Sequence, residues 1–336
     1  MTDRRILIVA HAYRDDTVRA AVRVVEAIRK GGATPVLARD DRAELSAIAP
    51  ALADVAVLHD DVPLADIEIA IVLGGDGTIL RAAELVRDGT APVLGINMGH
   101  VGFLAEIERD DMDEAVRRAI LGDYAVEERL ALSVVVKDAA DRVVYETWAL
   151  NEAAIEKDQR ERMVEVVIEV DRRPLTAYGA DGVVVATPTG STAYNFSAGG
   201  PVIWPTVQAI AVAPLSAHTL FSKPLVVGPE HAVAVELKAD SAGSAVLWCD
   251  GRRSHPLPAG ARVVVRRSSK PVRLARLHPA AFTDRLVRKF KLPTEGWRGP
   301  SETTPTAAIA LPTLGAAPNL GAPPTSETLH TLEGHA

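Results

Sequence analysis

Residues 74–78 read Gly-Gly-Asp-Gly-Thr, and they directly follow the apolar run Ile67–Leu73, which reads Ile-Glu-Ile-Ala-Ile-Val-Leu. The apolar run predicts a buried β-strand. A glycine turn between such a strand and a helix is typical of an anion site, because glycines let the backbone approach a phosphate and the first N–H groups of the helix point at it. Asp76 is unusual there, since a carboxylate repels phosphate. Three roles would explain it: a general base for an attacking hydroxyl, a ligand of a bridging Mg²⁺, or an acceptor for a ribose hydroxyl.

The segments around this turn alternate between strands and helices. Apolar runs predict strands at residues 4–11, 34–38, 67–73 and 92–97, and apolar positions at helical spacing predict helices at 15–30, 79–86 and 111–121. This alternation predicts an α/β domain with a parallel sheet over residues 1–125. The carboxyl ends of parallel strands are where open α/β sheets bind ligands, which favours a functional role for the glycine turn.

The pattern changes after residue 125. Apolar, β-branched runs follow with no long helix between them, which predicts a mainly antiparallel β-rich domain over residues 126–278. The predicted strands are 131–136, 143–150, 163–170, 183–186, 223–227, 232–237, 245–249, 261–266 and 272–275. A helical pattern returns at 279–292, and the tail 293–336, rich in Pro, Thr, Ala and Gly, is predicted to be disordered.

Composition limits the class of protein. The 336 residues are 48% hydrophobic and 24% charged, as in soluble globular proteins, and the net charge of −7 argues against a nucleic-acid surface. A single cysteine, Cys249, excludes an internal disulfide and indicates a reducing cytoplasm. Residues 182–222 lack charged side chains, but their prolines and paired glycines exclude a membrane-spanning helix, so we expect no membrane association.

Several further segments carry polar side chains suited to a ligand. Residues 187–201 read Thr-Pro-Thr-Gly-Ser-Thr-Ala-Tyr-Asn-Phe-Ser-Ala-Gly-Gly-Pro, which suits a neutral ring such as nicotinamide or adenine, or a polar turn between strands. The pair Asn151-Glu152 can hold a sugar diol, or cap the end of a strand. Arg81 lies one turn into the helix after the glycine turn, within reach of a phosphate there. Arg162 lies in the charge run 156–162, which is typical of a solvated loop.

Together, residues 74–78, the pair Asn151-Glu152 and residues 187–201 resemble the NAD kinase family, in order and spacing, across roughly residues 4–292. The Gly-Gly-Asp-Gly turn also occurs in diacylglycerol and sphingosine kinases and, loosely, in phosphofructokinases. The run Thr-Pro-Thr-Gly-Ser-Thr-Ala-Tyr is far more specific. The resemblance implies an α/β domain, a β-rich domain, a C-terminal helix that returns to the first domain, and an active site in the crevice between the domains.

The resemblance also implies an activity: phosphorylation of the 2′-hydroxyl on the adenosine ribose of NAD, giving NADP. ATP would be the donor, with polyphosphate as the alternative, and a divalent cation, Mg²⁺ or Mn²⁺, would assist. Members of the family are homodimers or homotetramers, in which a neighbouring subunit can complete the site.

The family's site residues carry over as follows. Asp76 would take the proton of the attacking hydroxyl, and the donor phosphates would lie on Gly74, Gly75, Gly77 and Thr78. Asn151 and Glu152 would hold a ribose. The full NAD-binding set implied by the resemblance is Asp76, Gly77, Arg81, Asn151, Glu152, Arg162, Asp181, Thr192, Ala193, Tyr194, Asn195, Phe196 and Ser197. One departure is Gly179, where some members have an arginine.

Two other functions are compatible with parts of this pattern. A lipid kinase of the diacylglycerol type would share the glycine turn, but it predicts an exposed apolar patch or a membrane-facing helix, which the sequence does not show. A catalytically silent NAD(P)-binding sensor would be favoured by loss of Asp76 or of the glycine turn, and both are intact.

Overall fold

A computed structural model describes residues 4–99, 102–159, 162–240, 243–278 and 282–294. Residues Met1–Leu292 form one compact unit. Of the second unit, Pro293–Ala336, only residues 293 and 294 are described, so the predicted disordered tail lies outside the described residues from position 295 onward.

The first part of the chain alternates strands and helices, as its sequence pattern predicts. Its strands are β1 Arg5–Val9, β2 Thr34–Leu37, β3 Ala56–Val57, β4 Ile67–Leu73, β5 Val93–Asn97, β6 Ile107–Glu108 and β7 Ala125–Arg129. Its helices are α1 Asp15–Lys30, α2 Arg39–Ile48, α3 Asp76–Leu85 and α4 Met112–Leu121. Helix α4 ends at Gly122, whose φ of 71° is the left-handed conformation that glycine adopts without strain.

The later part is mainly β-structure. Its strands are β8 Leu132–Lys137, β9 Val143–Ala149, β10 Glu152–Lys157, β11 Val164–Val170, β12 Arg173–Ala180, β13 Gly182–Ala186, β14 Ile210–Leu215, β15 Leu225–Val227, β16 Val233–Leu237, β17 Ala245–Cys249, β18 Arg253–Leu257, β19 Arg262–Arg267 and β20 Val272–Arg276. Two helices accompany them, the short α5 Tyr194–Ser197 and the C-terminal α6 Phe282–Phe290.

The first sheet has the strand order β3-β2-β1-β4-β5-β20-β7, with β6 paired to β5. Its neighbours are parallel except for β20 and β7, so the carboxyl ends of β4, β5 and β20 share one edge. The other two sheets are antiparallel, with orders β15-β14-β13-β10-β17-β18 and β12-β11-β16-β19-β8-β9. One apolar core contains side chains from both of them, so they pack face to face. The predicted fold class is confirmed.

Several details differ from the sequence prediction, which also did not include the strands β3, β6 and β7 or the helices α2 and α5. Helix α3 begins at Asp76 rather than at residue 79, so Gly77 and Thr78 belong to its first turn. The strands β10, β12, β14 and β18 were not predicted; β12, for example, is largely exposed and lacks a continuous apolar run. Helix α6 is described from Phe282, because residues 279–281 lie outside the described part of the chain.

Helix α6 returns to the first part of the chain, as predicted. Buried Arg285 donates to the carbonyl oxygen of Phe103 (2.9 Å) and pairs with Glu106 (2.8 Å). The ring of Phe290 lies 5.6 Å from that of Phe103 and 4.6 Å from that of Phe196, measured between centroids. The helix therefore bridges the loop after β5 and the segment that carries α5.

Candidate functional site

The glycine turn joins the end of β4 to the start of α3. A Cβ on Gly74 would overlap the side chain of Thr78, so this position must be glycine for the turn to close. Gly75 and Gly77 differ, because a Cβ on either would meet nothing within 4 Å. These two positions leave open space beside the N–H groups at the start of α3, which is the arrangement that accepts a phosphate.

A cavity of about 270 Å³ lies against this turn. It is lined by the turn and by parts of the chain that the sequence does not link to it, among them His11, Arg14, Asn97, Gly102 and Lys289. Arg14 and Lys289 bring positive charge to the same cavity as Asp76. His11, Arg14 and Lys289 were not predicted as site residues, since nothing local in the sequence marks them.

Both oxygens of the Asp76 carboxylate are held by the backbone. Oδ2 accepts a hydrogen bond from the N–H of Phe103 and Oδ1 one from the N–H of Leu104, each at 3.0 Å. A Cβ on Gly102 would overlap the carboxylate, so a glycine allows this close approach. Each oxygen keeps a lone pair beyond these bonds. Asp76 is therefore a fixed, half-buried carboxylate that can still accept a proton or a hydrogen bond.

Asn151 and Glu152 lie at the start of β10 and are buried, at 9% and 7% exposure. Their position depends on Asp250, which the sequence analysis missed. Asp250 follows β17 and accepts hydrogen bonds from the backbone N–H groups of Leu150 (2.9 Å), Asn151 (2.6 Å) and Glu152 (3.4 Å). Arg253 donates to the same carboxylate at 2.7 Å. The only local signal was the Asp250-Gly251 turn, which is common between strands.

Glu152 has an unusual protonation equilibrium. Burial, and secondarily the charge of Asp250, raise its pKa from 4.5 to about 8, against the smaller opposing effect of the Tyr194 N–H, which donates to Oε2 at 3.3 Å. The carboxyl is therefore protonated at neutral pH and can both donate and accept a hydrogen bond. A group with both capacities can hold one hydroxyl of a sugar diol.

The hydroxyl-rich segment 187–201 divides into an internal and a surface part. Buried Thr187 donates to the carbonyl oxygen of Leu150 (2.5 Å), and buried Ser191 donates to that of Pro188 (2.6 Å). A Cβ on Gly190 would overlap the carbonyl group of Asn151. The first part of the segment thus fixes the backbone beside Asn151, and its hydroxyls are used within the protein.

The surface part is α5 with the residues next to it. Tyr194 and Phe196 are 36% and 43% exposed, and the Tyr194 hydroxyl hydrogen-bonds Glu156. Asn195 is buried, and its Oδ1 has no hydrogen-bond partner among the described residues. Thr192, Ala193 and Ser197 belong to the same segment, and none of them is buried.

Asp181 lies between β12 and β13 and pairs with Lys157 at 2.5 Å. This hydrogen bond is the main cause that lowers the pKa of Asp181. Asp181 is thus an ionised, half-exposed carboxylate in the connection between β12 and β13.

Neither of the two predicted arginines is among the described residues that line the cavity at the glycine turn. Arg81 pairs with buried Asp41 and donates to the carbonyl oxygen of Ala10 (3.3 Å), and it is not among the residues that line the cavity beside Asp76. Arg162 is exposed and follows residues 160 and 161, which lie outside the described part. Contacts of either arginine with NAD stay predictions.

The two halves of the predicted site are linked through α6. Phe103, whose N–H binds Asp76, and Phe196, which follows Tyr194 and Asn195, both contact the ring of Phe290. Among the described residues, no three His, Cys, Asp or Glu side chains are grouped so as to hold a metal ion. No helix in the described ranges is long and apolar enough to span a membrane.

Comparisons with known proteins agree with this arrangement. The family model described as the ATP-NAD kinase N-terminal domain matches residues 6–124, and that of the ATP-NAD kinase C-terminal domain matches residues 150–277. The chain is 61% identical over 297 residues to an NAD kinase of Leifsonia xyli, which covers 88% of this chain and 97% of that protein. It is 50% identical over 298 residues to NAD kinase 2 of Streptomyces coelicolor, with the same coverage of both chains.

Two solved structures are similar in fold. A yeast NADH kinase crystallised with NADH gives a TM-score of 0.77 at 22% identity, over 87% of this chain and 89% of that one. An NAD kinase of Archaeoglobus fulgidus in complex with ATP gives a TM-score of 0.65 at 25% identity, over 85% of this chain and 98% of that one.

Proposed function

This chain belongs to the ATP-NAD kinase family, and we propose that it transfers the terminal phosphoryl group of ATP to the 2′-hydroxyl on the adenosine ribose of NAD, giving NADP. The observation that carries the mechanism is the Asp76 carboxylate. The carboxylate lies at the start of α3, is held by the backbone N–H groups of Phe103 and Leu104, and is directly beside two glycines that leave open space. A fixed proton acceptor and a phosphate site thus lie side by side.

The donor phosphates are proposed to lie on the open side of Gly75 and Gly77, against the N–H groups that begin α3. Arg14 and Lys289 line the same cavity and favour an anion there. A divalent cation, Mg²⁺ or Mn²⁺, is part of the proposal. Such ions are commonly held by substrate phosphates and one or two carboxylates, and Asp76 is the carboxylate that lines this cavity. When bound, the cation would neutralise charge on the phosphates.

The NAD ribose is proposed to lie on Asn151 and Glu152. Glu152 has its pKa raised to about 8 and so offers both a donor and an acceptor to a diol. Tyr194, whose N–H donates to Glu152, and Phe196 present exposed rings, and Asp181 presents a carboxylate. Asp76 then accepts the proton of the attacking hydroxyl as the phosphoryl group moves.

The substitution Asp76→Asn tests this role. General-base catalysis is typically worth about 10²–10⁴-fold, so kcat should fall by that factor while NAD affinity changes little. The assay couples NADP formation from NAD, ATP and Mg²⁺ to an NADP-specific dehydrogenase, and NAD affinity is measured by calorimetry. The matched control is Asp88→Asn, an exposed aspartate just beyond the same helix, which should keep wild-type turnover.

The outcomes separate the possible functions. Near-normal turnover in Asp76→Asn would remove Asp76 from the base role. Wild-type protein that binds NAD but forms no NADP would instead be a sensor. Wild-type protein that neither binds NAD nor forms NADP would favour the lipid kinase hypothesis. Replacing ATP by polyphosphate in the same assay identifies the donor.

The remaining features of the proposal follow the family. We propose a cytoplasmic homodimer or homotetramer, with an α/β domain over residues 1–125 completed by the C-terminal helix, and a β-rich domain over residues 126–278. Light scattering of the purified protein measures the oligomer directly.

A further inference from the structure

A second cavity, of about 770 Å³, lies at the same edge of the first sheet. Its walls come from the end of α4, the beginning of β7, the end of β20, the start of α6 and residues 204–206. Among the described residues it shares no lining residue with the cavity beside Asp76. Its volume is in the range of pockets that bind small organic ligands.

Three arginines of this wall are removed from solvent. The side chains of Arg129, Arg276 and Arg285 are 8%, 12% and 7% exposed. Buried charges are normally matched by opposite charges, because transferring an unpaired ion out of water is costly. We therefore compare the number of carboxylates in contact with these arginines with the number of guanidinium charges.

Two carboxylates face the three arginines. Glu127 accepts hydrogen bonds from Arg276 Nε (2.6 Å) and Arg129 Nη2 (3.1 Å). Glu106 accepts them from Arg276 Nη1 and Arg285 Nη2, both at 2.8 Å. The cluster is one negative charge short, and Arg276 Nη2 is buried without a hydrogen-bond partner in the described residues.

Further groups of this wall suit a ligand that carries negative charge and an aromatic ring. Arg118 of α4 and His278 also line the cavity, with Arg118 Nη1 3.4 Å from His278 Nε2. The indole of Trp204, 44% exposed, stands edge-on to Phe282 at 4.9 Å and gives the cavity an aromatic wall. Burial lowers the pKa of Arg129 and of Arg285, as expected where cations lack full compensation.

We propose that this cavity binds a phosphate-bearing ligand of nucleotide size, with its phosphates on Arg118 and Arg276 and its ring system on Trp204. The missing negative charge favours the phosphates, since guanidinium groups bind phosphate oxygens in pairs. The ligand is a second nucleotide, separate from the phosphoryl donor whose phosphates are proposed to lie on Gly75 and Gly77. This assignment goes beyond the proposed phosphoryl transfer at Asp76.

The test uses two neighbouring arginines of α4. Arg118 lines the cavity and pairs with Asp123, whereas Arg117 pairs with Glu114, is 58% exposed and does not line it. Calorimetry with ATP and with inorganic tripolyphosphate should show one binding event whose affinity is about tenfold weaker in Arg118→Gln and unchanged in Arg117→Gln. Binding at the glycine turn should be the same in both variants. ATP binding tighter than tripolyphosphate would assign the base to the aromatic wall.

A second pair of variants changes another lining residue of the cavity. Thr206 is exposed and lines the cavity, so Thr206→Glu adds the missing carboxylate there, and Thr206→Gln is its neutral control. Thr206→Glu should abolish the binding event that Arg118→Gln weakens, and Thr206→Gln should retain it. Equal affinities for wild type, Arg118→Gln and Thr206→Glu, toward both probes, would overturn the proposal.

Kinase assays of the same variants distinguish this site from the donor site. A raised KM for ATP with unchanged kcat in Arg118→Gln would place the donor in this cavity and overturn a separate site. Unchanged kinetics with lost binding would assign it to a separate nucleotide. The binding assays do not need turnover, so a failure of the proposed kinase activity would leave this inference testable.

Discussion

Replacing Glu152 by Gln should remove a large part of the pH dependence of stability. The folded protein holds a proton on Glu152 up to a pKa of about 8, whereas the unfolded chain releases it near the ordinary value of 4.5. A carboxyl whose pKa is raised by folding contributes stability that is complete below pH 4.5 and is lost as pH rises toward 8. The glutamine side chain of the variant does not titrate, so its contribution is independent of pH.

The magnitude follows from the size of the shift. Each pH unit between the two pKa values changes the free energy of unfolding by about 1.4 kcal/mol for one proton. From pH 5 to pH 8 the wild type should therefore lose about 4 kcal/mol relative to Glu152→Gln. No large discount for solvent is needed, because Glu152 is only 7% exposed.

Urea unfolding at pH 5, 6, 7 and 8 measures this difference, with Glu165→Gln as a control. Glu165 is an exposed carboxylate on β11 that pairs with Lys238. The control should follow the wild type across the range. Carbon NMR of labelled glutamate carboxyls should also show a resonance that titrates near pH 8 and disappears in Glu152→Gln. Parallel pH profiles of wild type and Glu152→Gln would refute the burial argument.

Two further variants test how the Asn151 backbone is held. Asp250→Asn removes a charged acceptor and leaves at least one of its backbone donors unpaired, so stability should fall by about 3 kcal/mol in urea unfolding. It should also lower the pKa of Glu152, and an unchanged glutamate titration would contradict that. Gly190→Ala places a Cβ on the Asn151 carbonyl, so the melting temperature should fall, with a cost of about 1–3 kcal/mol, and the KM for NAD should rise. An unchanged KM would show that Asn151 does not position NAD.

Much of the first sheet could be predicted, because its signals are local. Helix α1 has the predicted bounds, since its apolar positions repeat at helical spacing and two glycines follow it. Strand β4 was also predicted with its observed bounds, because it is a continuous apolar run. Strand β18 was not predicted because Pro256 and exposed polar residues interrupt the apolar pattern expected of a strand.

The site was predictable only where its chemistry lies in short segments. The glycine turn and the pair Asn151-Glu152 are visible in the sequence as local patterns. The residues that hold them are remote: Asp250 is 99 positions from Asn151, and Phe103, whose N–H binds Asp76, is 27 positions from it. Pairings of this kind depend on which strands become neighbours, and no local pattern encodes that.

The position of β20 in the first sheet has a consequence for how the protein is made. Strand β20 lies between β5 and β7, although it is synthesised about 140 residues after β7. During translation β7 therefore remains unpaired until β20 is synthesised, and the edge of β5 that pairs with β20 stays open. Helix α6, which supports the loop that holds Asp76, leaves the ribosome later still. The carboxylate proposed for catalysis is fixed only when nearly the whole chain is complete, so an unfinished chain carries the glycine turn without a finished site.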